Sequence, residues 1–247
     1  MGTTKDFFQV AKEYLEKAKE TQREPIKNAA VMMANCMETD GIVQLFGIDQ
    51  GRAFSMELGY RAGGLMPFHQ FNTKDLALRG VISEQELYAE GFNNRTEMAH
   101  KLWDLYRVEP TDMFILISNT GCEGIIVETA LMAKEKGKKV IAVVSKATCA
   151  ETDSKHPSGK KLVDVADIVI DNCSLSHDAL LDLDGTHKIT QISTITGNVI
   201  AQMITAEVYH YLKNKGSECP VLLSANIKGA DVHNRALSDK YLGRWNS

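Results

Sequence analysis

Two loops in this 247-residue chain carry residue types suited to holding an anion. The clearer one is Ser118-Asn119-Thr120-Gly121-Cys122-Glu123, set between an apolar run and a helical stretch. Two hydroxyls, a carboxamide and the unpaired N–H groups of a helix start converge there, so a phosphate can be held without a basic residue. The same residue types also serve as plain helix caps, and spacing alone leaves both readings open. The other, first in chain order, is Gly47-Ile48-Asp49-Gln50-Gly51-Arg52. Its glycines do not follow Gly-x-Gly-x-x-Gly, and Gly-x-x-x-x-Gly-Lys-Ser/Thr is absent from the chain, which argues against dinucleotide and P-loop nucleotide sites. Without His-Glu-x-x-His or a Cys/His cluster, no metal and no cofactor is expected.

Parallel strands are what would position such loops. The runs Ile42 to Phe46, Met113 to Ser118, Val140 to Ser145 and Asp167 to Asp171 are short, nearly continuous and rich in Ile and Val, as in strands covered on both faces. Helical stretches predicted over 52–62 and 125–136 alternate with them, which implies right-handed crossovers and an open, doubly wound parallel sheet. In such a sheet ligands gather beyond the carboxyl ends of the strands, where both loops fall. A long helix is predicted over 193–215, ending at Gly216, and Val221 to Ala225 reads as a last short strand or an extended tail. Ahead of the sheet, Phe7, Val10, Ala11, Tyr14, Leu15 and Ala18, then Ile26, Ala29, Ala30, Met33 and Ala34, recur at helical spacing on either side of Pro25. These stripes must cover the core or a neighbouring subunit. The expected division is therefore N-terminal helices over 1–40, for packing and oligomerisation, and one α/β unit over 41–247.

Charge and cysteine usage narrow the function classes. With 28 basic and 32 acidic residues, the net charge of −4 disfavours a nucleic-acid partner, whose phosphates select clustered Lys and Arg. Five scattered cysteines, none in Cys-x-x-Cys, read as free thiols of a reducing compartment. Neither a signal-peptide pattern nor a run of about 18 apolar residues is present, so the expectation is a cytoplasmic protein without a membrane partner.

Taken together, the strand, Ser118-Asn119-Thr120-Gly121, the helix and Val140 to Ser145 resemble the second half of a SIS (sugar isomerase) domain. The similarity extends through Leu45-Phe46-Gly47, Tyr60 to Gly64, Lys155-His156-Pro157-Ser158-Gly159-Lys160-Lys161, Asp164 to Asn172, Ser224-Ala225-Asn226 and His233-Asn234. These segments resemble an uncharacterised bacterial subfamily of SIS-domain proteins along essentially the whole chain. The resemblance implies a five-stranded parallel sheet flanked by helices in three layers, working as a homodimer or homotetramer on a phosphorylated sugar or amino sugar.

Carried over position by position, Ser118, Asn119 and Thr120 match the family's phosphate-gripping Ser-x-Ser, and Gly121 the glycine that lets a helix begin close to the ligand. Gly47, Gln50, Gly51 and Arg52 occupy the place of the other ligand loop. That loop departs from the family's Gly-Ser/Thr-Gly-x-Ser: a hydroxyl is missing, Asp49 repels phosphate, and Arg52 is either a compensating cation beside the loop or a solvated surface arginine. By the same resemblance Glu57 is the proton-transfer base of an aldose–ketose isomerisation, which shuttles a carbon-bound proton through an enediol. His233, with His156 as the other candidate, is the acid or ring-opening group. Glu57 and Arg61 are also spaced as a plain ion pair. The alternatives carried forward are a lyase or etherase using the same enolate chemistry, and a non-catalytic sugar-phosphate sensor.

Overall fold

A computed structural model of the chain describes residues 4–176, 178–182 and 185–244. The first helices are α1 (Thr4–Thr21) and α2 (Arg23–Glu38), with Pro25 in the first turn of α2, where a missing N–H costs nothing. Then β1 (Val43–Gly47) leads through α3 (Gly51–Leu58) to β2 (Phe68–Phe71). The long connection onward holds α4 (Lys74–Leu78), α5 (Glu84–Leu87), a 3-10 turn over Phe92–Asn94 and α6 (Glu97–Trp103). It ends at β3 (Met113–Ile117), followed by α7 (Gly124–Glu135) and β4 (Val140–Val144). Short helices α8 (Lys146–Glu151) and α9 (Leu162–Val165) precede β5 (Ile168–Asp171). A hairpin of β6 (Ala179–Asp182) and β7 (Lys188–Gln191) leads to α10 (Ser193–Lys215) and α11 (Ala230–Lys240).

Five strands form one parallel sheet in the order β2-β1-β3-β4-β5. Because side chains alternate along a strand, each strand feeds two cores. Val43, Leu45, Met113, Ile115, Ile117, Ile141 and Val143 face α1, α2, α3 and α10, meeting Ala30, Met33, Phe54, Ile200 and Ile204. Phe46, Phe114, Leu116, Val140, Ala142 and Val144 face the other way, toward α4, α6, α7 and α9, meeting Leu102, Trp103, Ile126 and Leu162. The fold is thus α/β in three layers, with the N-terminal helices closing one of them.

At the amino edge of the sheet Asp112 is buried and accepts hydrogen bonds from Ile42 N (2.8 Å), Gln44 Nε2 (2.9 Å) and Glu109 N (2.9 Å), while Arg244 pairs with its carboxylate. This network pins the starts of β1 and β3 together, at the end of the sheet away from the ligand loops.

Several elements differ from the sequence expectation. The fifth strand is β2, and of the two readings of Val221 to Ala225 the extended tail is the one found. That segment lies antiparallel to Gly63–Met66 outside the sheet, with Leu222 N bonded to Gly64 O (2.9 Å) and one bridge between Leu65 and Val221. β2 escapes a hydropathy reading because His69 and Gln70 interrupt it; His69 is buried by pairing with Gln44 of β1 (2.7 Å). The helix predicted over 52–62 stops at Leu58, where Gly59 turns extended (ψ 158°) and sends the chain toward β2. The short hairpin of β6 and β7 has no counterpart in the sequence reading.

Candidate functional site

The chain leaves β1 for β2 on one side and returns to β3 on the other, so the carboxyl ends of β1 and β3 flank the switch point where open α/β sheets hold ligands. Glycines make the junction tight. A Cβ on Gly47 would lie 2.3 Å from Gly51 O, and one on Gly51 would lie 2.6 Å from Ile117 O. With hydrogen there instead, Ile48 N reaches Ile117 O (3.1 Å) and the two loops sit side by side.

The second loop is fixed from several directions. Asn119 O accepts from Ser145 N (3.0 Å), Gly121 O from Leu162 N (2.7 Å) and Cys122 O from Lys155 N (2.8 Å). Gly121 adopts φ +62°, a left-handed conformation that glycine tolerates best, with Val144 and Leu162 packed against the space a Cβ would need. Within the loop Ser118 Oγ accepts from Gly121 N (2.9 Å), and Thr120 Oγ1 accepts from Cys122 N (3.1 Å). Each hydroxyl passes its own proton to Glu123: Ser118 Oγ donates to Oε2 (2.7 Å), and Thr120 Oγ1 donates to Oε1. The donor set therefore already grips a carboxylate, and it belongs to the protein. Sequence reasoning quoted Glu123 as the end of the loop and gave it no role. A carboxylate just after a row of hydroxyl donors was the available signal.

Glu123 also lines a cavity of about 440 Å³, together with Ile48, Asp49, Arg52, Thr73, Lys74, Tyr88 and the 92–94 turn. The size suits a small organic ligand. Gly124 lets that turn close over the start of α7, since a Cβ there would meet Asn94 O at 2.2 Å. Asp49, at φ +47°, accepts from Asn93 Nδ2 (3.3 Å). Burial and then the neighbouring Glu123 charge push its carboxyl above the usual Asp value, against the Asn93 hydrogen bond and the Arg52 charge. Arg52 and Lys74 are the cations of the cavity wall.

The other sequence candidates lie apart from this cavity. Asn119 and Gln50 turn toward a much smaller void beside α10, where Asn119 Oδ1 accepts from Asn172 Nδ2 (2.7 Å). Glu57, farther along α3, pairs with Arg61 and accepts from Gln202 Nε2 of α10 (2.6 Å). His156 has both ring nitrogens engaged, Nε2 with Glu128 Oε2 (2.7 Å) and Nδ1 with Ser158 Oγ (2.7 Å). Glu128 also meets His100 (2.8 Å), and against the effect of burial these two histidines hold its carboxyl below the usual Glu value. His233, exposed at the start of α11, donates from Nε2 to Val221 O (2.9 Å). Cys122 is buried with its thiol on Thr120 O (3.1 Å) and Thr152 O (3.3 Å); contact with Cys149 and then burial raise its pKa, which suits packing rather than nucleophilic attack. Among the described residues no group of three or more His, Cys, Asp or Glu is arranged to hold a metal, and no helix is long and apolar enough to cross a membrane.

Known proteins share both the sequence and the architecture. The model of a family described as SIS domain matches residues 6–145. A UPF0309 protein of Thermoanaerobacter pseudethanolicus is 37% identical, the match covering 93% of this chain and 94% of the relative. One from Listeria monocytogenes is 34% identical over 96% of this chain and 94% of its own. Among solved structures, phosphoheptose isomerase of Neisseria gonorrhoeae superposes with a TM-score of 0.56 at 15% identity, covering 83% of this chain and 95% of that one. Phosphoheptose isomerase of Francisella tularensis gives 0.55 at 14%, with the same coverage. At these identities the likeness to the solved structures is one of fold.

Proposed function

This chain belongs to the SIS-domain family, and from that premise we propose that it binds a phosphorylated sugar or amino sugar in the cavity at the carboxyl ends of β1 and β3. The chemistry that follows is acid–base transfer through an enediol, in its simplest form an aldose–ketose isomerisation. One observation carries the reading: the hydroxyls of Ser118 and Thr120 converge on a carboxylate at the start of α7, beside a cavity of ligand size. A donor set that grips one anion has the geometry to grip another. In this reading Ser118, Asn119, Thr120 and Gly121 form the phosphate loop. Gly47 and Gly51 hold the first loop against it, and Arg52 reaches toward the ligand, while Gln50 turns to the small void beside α10.

Isomerisation needs a base for the carbon-bound proton and a donor to the carbonyl or ring oxygen. Glu57 is the proposed base, and His233 or His156 the donor. None of the three lines the cavity of its own chain, so the isomerase reading brings a proton-transfer group from a second copy in a homodimer or homotetramer. His233, exposed on α11 beside Val232, is placed to be offered that way. We assign the protein to the cytoplasm, where its five unpaired cysteines stay reduced.

The engagement of Glu57 with Arg61 and Gln202, and of His156 with Glu128, favours a second reading, a sugar-phosphate sensor that binds without turnover. Two measurements separate them. A thermal-shift screen of sugar phosphates identifies ligands, because preferential binding to the native state raises the melting temperature. Exchange of the C2 proton with solvent deuterium is then followed by NMR for each ligand that binds, with Glu57→Gln as control. The isomerase reading expects exchange in the wild type and its loss in the variant. Binding without exchange leaves the sensor.

A further inference from the structure

We propose that Glu123 sets the specificity of this site as a resident anion: it occupies the phosphate seat and yields the hydroxyls of Ser118 and Thr120 only to a ligand that holds on elsewhere as well. The inference rests on the sugar-phosphate reading of the cavity and adds a selection step to it. Each hydroxyl has one proton to donate, and both protons are spent on Glu123. Each hydroxyl also accepts one backbone amide, Gly121 N or Cys122 N, and with its single proton on Glu123 the seat has no spare hydroxyl donor while Glu123 is in place. The loop backbone is tied to Ser145, Lys155 and Leu162, which leaves the Glu123 side chain as the part able to move.

Charge reinforces the exclusion. A phosphoryl group carrying between one and two negative charges at neutral pH would enter beside Glu123 and Asp49, with Arg52 and Lys74 the opposing cations of the cavity wall. Inorganic phosphate has nothing else with which to displace the carboxylate. A sugar phosphate adds contacts from its hydroxyls along the cavity, and those offset the exchange. Glu123 therefore screens the site against the free phosphate that would otherwise compete with the ligand.

The test is titration calorimetry with inorganic phosphate and, separately, with a panel of hexose and heptose phosphates, on the wild type, Glu123→Ser and Glu123→Gln. The inference expects Glu123→Ser to bind inorganic phosphate at least tenfold more tightly than the wild type. Its advantage for sugar phosphates should be smaller, so that selectivity for sugar phosphate over phosphate falls. Glu123→Gln, which keeps the bulk and removes the charge, should fall between them, and it stands in if the serine variant does not fold. Equal phosphate affinity in the wild type and both variants overturns the role of Glu123 while sugar phosphates still bind. If no sugar phosphate binds any of the three proteins, the sugar-phosphate reading itself fails.

Discussion

At the scale of single residues, Asp49 and Glu123 are the two positions where the site departs most from a simple phosphate grip. Asp49 has its carboxyl pushed up by burial and by the Glu123 charge. For an acid whose folded pKa lies above its unfolded value, the favourable contribution is complete below the unfolded pKa and is lost as pH rises through the folded one. Asp49→Asn should therefore melt higher than the wild type at pH 7, and the difference should vanish by about pH 3, below the usual Asp value. Asparagine tolerates the left-handed conformation at this position, so the substitution adds little backbone strain. A melting series from pH 3 to pH 8 checks this, and an unchanged or lower melting point at pH 7 would refute it. Little of this pair was legible in the sequence. The hydroxyls and Gly121 announce an anion site by type, whereas Glu123 reads only as the last residue of the loop ahead of the helix. Only the fold shows that it bends back onto Ser118 and Thr120.

Elements decide whether the two ligand loops meet at all. Gly51 starts α3 so close to the end of β3 that a Cβ would press on Ile117 O. Gly51→Ala should destabilise the fold by about 1–3 kcal/mol, as overpacking does, and weaken sugar-phosphate binding by moving the first loop away from the second. Urea denaturation and calorimetry measure the two effects; a variant with wild-type midpoint and affinity would show that the close approach is dispensable. Strand legibility followed apolar composition rather than burial, since half-buried β5 reads as a strand and the more buried β2 does not. β1, β3 and β4 are buried at every position and announce themselves as apolar runs. β2 lies at the sheet edge, and its buried His69 makes sense only once Gln44 of β1 is beside it. Glu57, His156 and His233 were named from resemblance. The Glu57–Arg61 pair was legible from its i,i+4 spacing, whereas Gln202, Glu128 and Val221, the other partners, follow no local pattern.

For the whole molecule, the proposed assembly makes its own demand. Met56 and Tyr60 near α3, Val232 on α11 and Phe8 on α1 leave large apolar side chains in solvent. Light scattering at micromolar concentration should report a dimer or tetramer; a monomer would remove the route by which a second copy completes the chemistry. At the far end of the sheet the Asp112 side chain is fully buried and depends on Arg244, 132 positions later in the chain. Asp112→Ala or Arg244→Ala should cost about 3–5 kcal/mol by stranding a buried partner, measurable by denaturation. A wild-type midpoint in both would show the pair to be dispensable. The pairing also ties the end of α11 to the sheet: Arg244, four residues past that helix, reaches both Asp112 and Asp40 O, so any loosening of α11 would open the root of the two central strands to water.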